Sequence, residues 1–175
     1  MCPLYEFEEH RPVISPEAFV HPQAVLIGDV TIGDGCYIGP FASLRGDFGK
    51  ITIGAGGNVQ DCCVLHSYPE AETVVAEEGH IGHGAILHGC KVGRGALVGM
   101  KSVIMDGVEI GEFSIIAASS LLLFGSKIPP KSLVMGNPAK VTRELAQAEI
   151  DRKRSGTEDY QELARRSLAT LKLLD

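Results

Sequence analysis

The sequence predicts a mainly β protein, a three-sided parallel β-helix followed by a C-terminal α-helix. Three observations carry that prediction. Aliphatic residues return at every sixth position over most of the chain, glycine and other short residues mark the corners between them, and residues 141–175 abandon this period for helical spacing. A sustained period of six matches neither the alternation of an ordinary strand nor the 3.6-residue repeat of a helix, and it is the pattern of stacked hexapeptide coils.

The repeat opens at Val20, Leu26, Ile32, Ile38 and Leu44, with Ala24, Val30, Cys36 and Ala42 at the short positions, as in "IGDGCY" and "IGPFAS". After a short insertion near Gly49 to Thr52 it resumes at Ile53, Val59 and Leu65. The loop "SYPEAETVVAEEG" interrupts it and ends by supplying Val75. Ile81, Leu87, Val92, Val98, Ile104, Ile110 and Ile116 continue it, with only the step from Leu87 to Val92 shortened to five. Each aliphatic residue is expected to point inward, three hexapeptides closing one coil of about eighteen residues. Residues 1–140 are therefore assigned to the β-helix. Residues 141–175 form a helical segment packing on the prism, with Leu145, Ile150, Leu163, Leu168 and Leu171 as its apolar positions and an expected break at Ser155-Gly156.

Composition narrows the functional classes. A net charge of −6 offers no basic face for nucleic acid. No run of apolar residues is long enough to span a bilayer and no export signal is visible, so a cytoplasmic location is expected. The five cysteines, Cys2, Cys36, Cys62, Cys63 and Cys90, form an odd set without a secretion signal and are read as free thiols. Cys36 and Cys63 fall at inward positions and Cys62 and Cys90 near His66, His83 and His88.

Coil register turns sequence positions into columns. Leu44, Leu65 and Leu87 stack, so the residues that follow them, Arg45, His66 and His88, share one column at the rung spacing of about 4.7 to 4.9 Å. Two imidazoles so placed can converge on one metal ion. His83 and Asp61 form a second column on the neighbouring face, out of reach of the first within one chain. A metal bound by all three histidines therefore requires a second copy, and a three-sided prism favours a homotrimer with one site at each interface. The same columns set Arg45 opposite Asp61 across that interface. His10, His21 and His80 fall outside the columns and are read as structural.

The segments "LRGDFGKI", "NVQDCCVLH" and "IGHGAILHGC" resemble the γ-class carbonic anhydrases over about residues 12 to 140. That resemblance implies a left-handed β-helix and an interfacial zinc, with His66 and His88 as ligands from one subunit and His83 from its neighbour. It also implies Arg45 and Asp61 as an inter-subunit pair, Gln60 facing the metal-bound water, and Asp47 and Asn58 as supports. The chain departs from the pattern at Phe48, where that class carries a glutamate, and in its short acidic loop, where Glu70 and Glu72 are candidate stand-ins for the proton shuttle. A fuller likeness, carried by "FVHPQAVLIGDV", "ASLRGDFG", "EEGHIGHGAILHGC", "ALVGM" and "GTEDYQ", is to the family of the phenylacetic acid degradation protein and the carnitine-operon protein.

That second resemblance implies a metal-dependent thioesterase acting on ring-hydroxylated phenylacetyl-CoA thioesters through metal-bound hydroxide, with zinc as the metal and iron or cobalt as chemical alternatives. Phe48 is expected to pack, with an aromatic acyl pocket as the other reading. Three alternatives stand beside the thioesterase: CO2 hydration, metal-free acyl transfer from coenzyme A of the kind associated with "GNPAK" at residues 136–140, and a scaffold whose metal only clamps the trimer.

Overall fold

The computed structural model describes residues 3–174. The chain winds into a solenoid of short parallel strands, and three stacks of inward side chains record its three faces. One face stacks Leu26, Leu44, Leu65, Leu87, Ile104 and Leu122 in register. A second stacks Ile32, Ile53, Val75, Val92, Ile110 and Ile128. The third stacks Val20, Ile38, Val59, Ile81, Val98, Ile116 and Val134. The columns continue past Ile116, the last position the sequence pattern assigns, through Leu122, Ile128 and Val134. Most of these side chains are fully buried. Each such side chain contributes about 1.5 to 3 kcal/mol relative to exposure, so the repeated aliphatic position is the main source of stability.

The insertion expected near Gly49 to Thr52 is not a loop. Ser43–Ile53 is one continuous strand paired with Val25–Ile32, and the extra residues are absorbed by a register shift between Gly28 and Val30. Gly46 permits this crossing, because a Cβ there would sit 2.3 Å from the Asp29 carbonyl oxygen.

The end of the chain departs from expectation in three ways. First, the helix does not begin near residue 141: Ala139–Glu144 is a strand folded antiparallel onto Ser132–Gly136 around a cis Asn137-Pro138 bond, and the helix spans Gln147–Thr170. The start carries no Ser, Thr, Asp or Asn N-cap. Its orphan donor at Ala146 is instead satisfied by Glu149 (3.0 Å), a carboxylate clamped by Arg143 at 2.7 and 2.8 Å. Second, the helix does not break at Ser155-Gly156. Its inner face, Ile150, Lys153, Thr157 and Ala164, docks on both sides of that pair and outweighs the roughly 1 kcal/mol that a helical glycine costs. Third, only part of the expected apolar set is covered: Leu145 and Ile150 are buried, whereas Leu163, Leu168 and Leu171 are exposed. The docked face is instead closed by polar groups, with Lys153 Nζ donating to the Glu78 carbonyl (2.9 Å) and Gln161 Nε2 to that of Gly56 (3.2 Å).

Cys36, Cys63 and Cys90 are buried, and burial pushes their thiols up to about 11, about 11 and about 12. Cys90 thus belongs to the core, and Cys62 is the exposed thiol among the described residues. Cys2 lies outside the described residues.

Candidate metal and catalytic site

His66 and His88 are direct partners in adjacent parallel strands, Val64–His66 and Ile86–His88. Because Leu65 and Leu87 point into the core, the next residue on each strand points out, and the two imidazoles lie one above the other. His66 Nδ1 and His88 Nε2 are 3.2 Å apart. Two nitrogens bound at about 2.0 to 2.1 Å to a tetrahedral ion are separated by about 3.3 Å, and the same distance also serves an imidazole–imidazole hydrogen bond. The outer nitrogens are held by carboxylates: His66 Nε2 lies 2.9 Å from Asp47 Oδ1, and His88 Nδ1 lies 2.5 Å from Asp106 Oδ1. Carboxylate partners of this kind orient imidazoles that bind metal. The donor set therefore fits a metal ion of the type that imidazole favours. One protomer supplies two such nitrogens here, and among the described residues no three histidine, cysteine or carboxylate groups gather to hold an ion.

Asp47 is tied further by Arg45, whose Nε donates to Oδ2 at 3.1 Å. Burial opposes ionisation of Asp47, but the hydrogen bonds from His66 and Arg45 outweigh it and hold the carboxyl below its ordinary range. Phe48 does not pack in the interior. It is 59% exposed on the outward side of its strand, with its ring 5.4 Å from that of His66. It borders a concavity shared with Lys50, Glu70, Glu72 and Lys91, in which Glu72 and Lys91 are 3.6 Å apart.

The second column stands on the neighbouring face, as its register requires. His83 Nδ1 pairs with Asp61 Oδ2 at 2.5 Å. Gln60 is buried, donating to Asn58 Oδ1 (3.0 Å) and His80 Nε2 (2.7 Å) while its carbonyl accepts from the His83 backbone N–H (3.3 Å). Within one protomer the structure thus brings Arg45, Asp47, His66 and His88 together, and separately Asn58, Gln60, Asp61 and His83.

Three residues around these groups were not identified from the sequence. Asp106 lies 18 residues beyond His88 and one coil above, but register stacks Met105 on His88 and Asp106 on Gly89, so counting coils alone would not have singled it out. Gly89 makes its approach possible, since a Cβ there would sit 2.6 Å from Asp106 Oδ1. His80, expected to be structural, anchors Gln60 and passes the contact to the helix through Thr157 Oγ1 (3.3 Å). Burial above all, helped by the nearby Lys153 and His83, pushes His80 down to about 4, so it is neutral at pH 7. Tyr160, also from the helix, has its hydroxyl 3.5 Å from His83 Nε2. No periodic signal links the helix to these partners.

Fold and site together define a hexapeptide-repeat β-helix protein with histidines on two faces. The chain matches the bacterial transferase hexapeptide (six repeats) family over residues 11–46 and 89–123. It is 55% identical over 167 residues to the carnitine operon protein CaiE of Escherichia coli O7:K1, covering 95% of this chain and 85% of that one. It is 57% identical over 160 residues to CaiE of Salmonella agona, covering 91% and 81%. The chain therefore belongs to the hexapeptide-repeat family that includes the CaiE proteins. Among solved structures, the product of the Bacillus cereus BC4754 gene superposes with a TM-score of 0.94 at 37% identity, covering 96% of this chain and 98% of that one. A hexapeptide transferase family protein from Anaplasma phagocytophilum superposes at 0.90 with 38% identity, covering 93% and 96%. No helix is long and apolar enough among the described residues to cross a membrane.

Proposed function

We propose that the protein is a metal-dependent acyl-CoA thioesterase, acting on ring-hydroxylated phenylacetyl thioesters, whose sites form where His66 and His88 of one subunit meet His83 of another in a homotrimer. The observation that supports this most is the facing pair of imidazole nitrogens, each ring fixed from behind by a carboxylate. When bound, a zinc ion would lower the pKa of water to about 7 and polarise a carbonyl. Asp47 and Asp106 hold the rings of His66 and His88, and Asp61 holds that of His83. Gln60, fixed by Asn58 and His80, keeps a second carbonyl lone pair with which to orient the attacking water. The attacking water gives one proton to solvent, its oxygen bonds to the thioester carbon, the C–S bond breaks, and coenzyme A leaves as a thiolate that takes up the proton remaining on the new carboxyl, so no strong acid is needed. Phe48 in place of a proton-accepting glutamate therefore costs this reaction less than it costs CO2 hydration. Arg45 and Asp61 are placed to pair between subunits. Iron or cobalt would suit the same donors.

The test is hydrolysis of arylacyl-CoA thioesters by wild type and His88→Ala, with metal content measured in both. The variant is expected to lose the metal and nearly all turnover; undiminished turnover in metal-free protein overturns the proposal.

A second reading, acyl transfer, is favoured by the likeness to the hexapeptide transferase family protein from Anaplasma phagocytophilum. Acceleration of coenzyme A release by an amine or alcohol acceptor, in protein stripped of metal, would establish it instead.

A further inference from the structure

The tail segment Thr157 to Gln161 does more than fasten the helix. The Tyr160 ring lies 5.3 Å from those of both Tyr37 and His80, tilted against the first and edge-on to the second, which fixes it while its hydroxyl reaches toward His83. There it lines an open recess of about 460 Å³. Coil register explains the recess. Leu97 and Ile115 stack directly above His80 and form one wall. Met100 and Ala118 continue above His83 and form the other, and Gly82, Gly99 and Ala117 form the floor between them. The floor is low because the coil requires it: a Cβ on Gly82 or Gly99 would come within 2.8 Å of the Met100 nitrogen or 2.5 Å of the Ala118 nitrogen.

The walls are apolar and the polar end is nearly committed. Gln60 Nε2 is shared between Asn58 and His80, and His80 Nδ1 donates to Thr157. Tyr160 differs. At 3.5 Å its contact with His83 stands at the outer limit of a hydrogen bond, so the phenol retains capacity to donate and to accept. The concavity beside Phe48 contrasts with this, being ringed by Lys50, Glu70, Glu72 and Lys91.

We propose that the recess beside His83 is the acyl subsite and that Tyr160 is its specificity residue, the walls taking an apolar acyl group and the phenol hydrogen-bonding a polar substituent on it. The inference rests on the thioesterase reading above. The size falls within the usual range for ligand pockets, about 300 to 1,000 Å³. Its position would bring a carbonyl at the mouth of the recess next to His83.

Two variants test it, Ala117→Phe to fill the recess and Tyr160→Phe to remove only the hydroxyl, both checked for unchanged thermal melting. Steady-state kinetics with acetyl-CoA, phenylacetyl-CoA and 4-hydroxyphenylacetyl-CoA give the specificity ratios. Ala117→Phe is expected to lower the phenylacetyl to acetyl ratio of kcat/KM at least about tenfold. Tyr160→Phe should lower the hydroxyphenylacetyl to phenylacetyl ratio by about tenfold, the worth of one hydrogen bond. Unchanged ratios in both variants overturn the proposal. Should wild type hydrolyse none of the three, the thioesterase reading fails separately, and calorimetric binding of a non-hydrolysable thioether, 3-phenyl-2-oxopropyl-CoA, decides the subsite. Binding that Ala117→Phe abolishes supports it; equal affinity in wild type and variant, or no binding to either, refutes it.

Discussion

At the scale of single residues, the site depends on small groups that let large ones meet. Gly89 has no side chain where Asp106 must pass, and Asp106 then fixes the ring of His88. Removing a carboxylate behind a metal-binding imidazole typically costs about 10- to 100-fold in metal affinity. Asp106→Asn should therefore release metal to a competing chelator at correspondingly lower concentration while circular dichroism stays as in wild type; unaltered metal retention would assign Asp106 no part in holding the ring. Lys153 gives a pH prediction. Burial, opposed in part by Glu78, lowers its pKa from 10.5 to about 8 in the folded protein. Between those values the unfolded chain holds a proton that the folded chain does not, so stability rises with pH through that window. Urea midpoints across pH 8 to 10.5 should show the rise in wild type, and Lys153→Met should flatten it.

At the scale of elements, the strands and the helix obey different rules. Most coil strands are two or three residues long and stable only because their neighbours above and below bury the same aliphatic position, so the period announces them. The helix is held by a mixed face and by Glu149 and Arg143 at its start. Its first turn carries no conventional capping residue, and its glycine suggested a break that tertiary contacts override. Gly156 lies inside the helix, and nothing stands within 4 Å of where its Cβ would point. Gly156→Ala should then stabilise the protein by about 1 kcal/mol, visible as a higher midpoint in thermal or urea unfolding. A lower midpoint would mean that the residue serves a contact the protomer does not reveal.

At the scale of the whole molecule, the two histidine groups stand on different faces of one prism. This arrangement makes sense as a shared site between copies, and it can be tested by mixing. His66→Ala and His83→Ala trimers should each be inactive. Unfolded together and reassembled at equal proportions, they should regain about one quarter of wild-type activity, because one ordered subunit pair in four places both intact halves at the same interface. No recovery, with trimers demonstrably mixed by sedimentation and mass spectrometry, would show that each site lies within one chain.

The register of the coils was readable in advance because each hexapeptide repeats one local demand, an aliphatic side chain turned inward, and counting sixes then stacks His66 on His88 and Asp61 under His83. Beyond the last coil the chain obeys no such count. The antiparallel return at Ala139–Glu144, the unbroken helix, and the meeting of Thr157 with His80 and of Tyr160 with His83 join residues 77 positions apart. Their partners are chosen by the shape and charge of a finished surface, so only the tertiary structure could decide them.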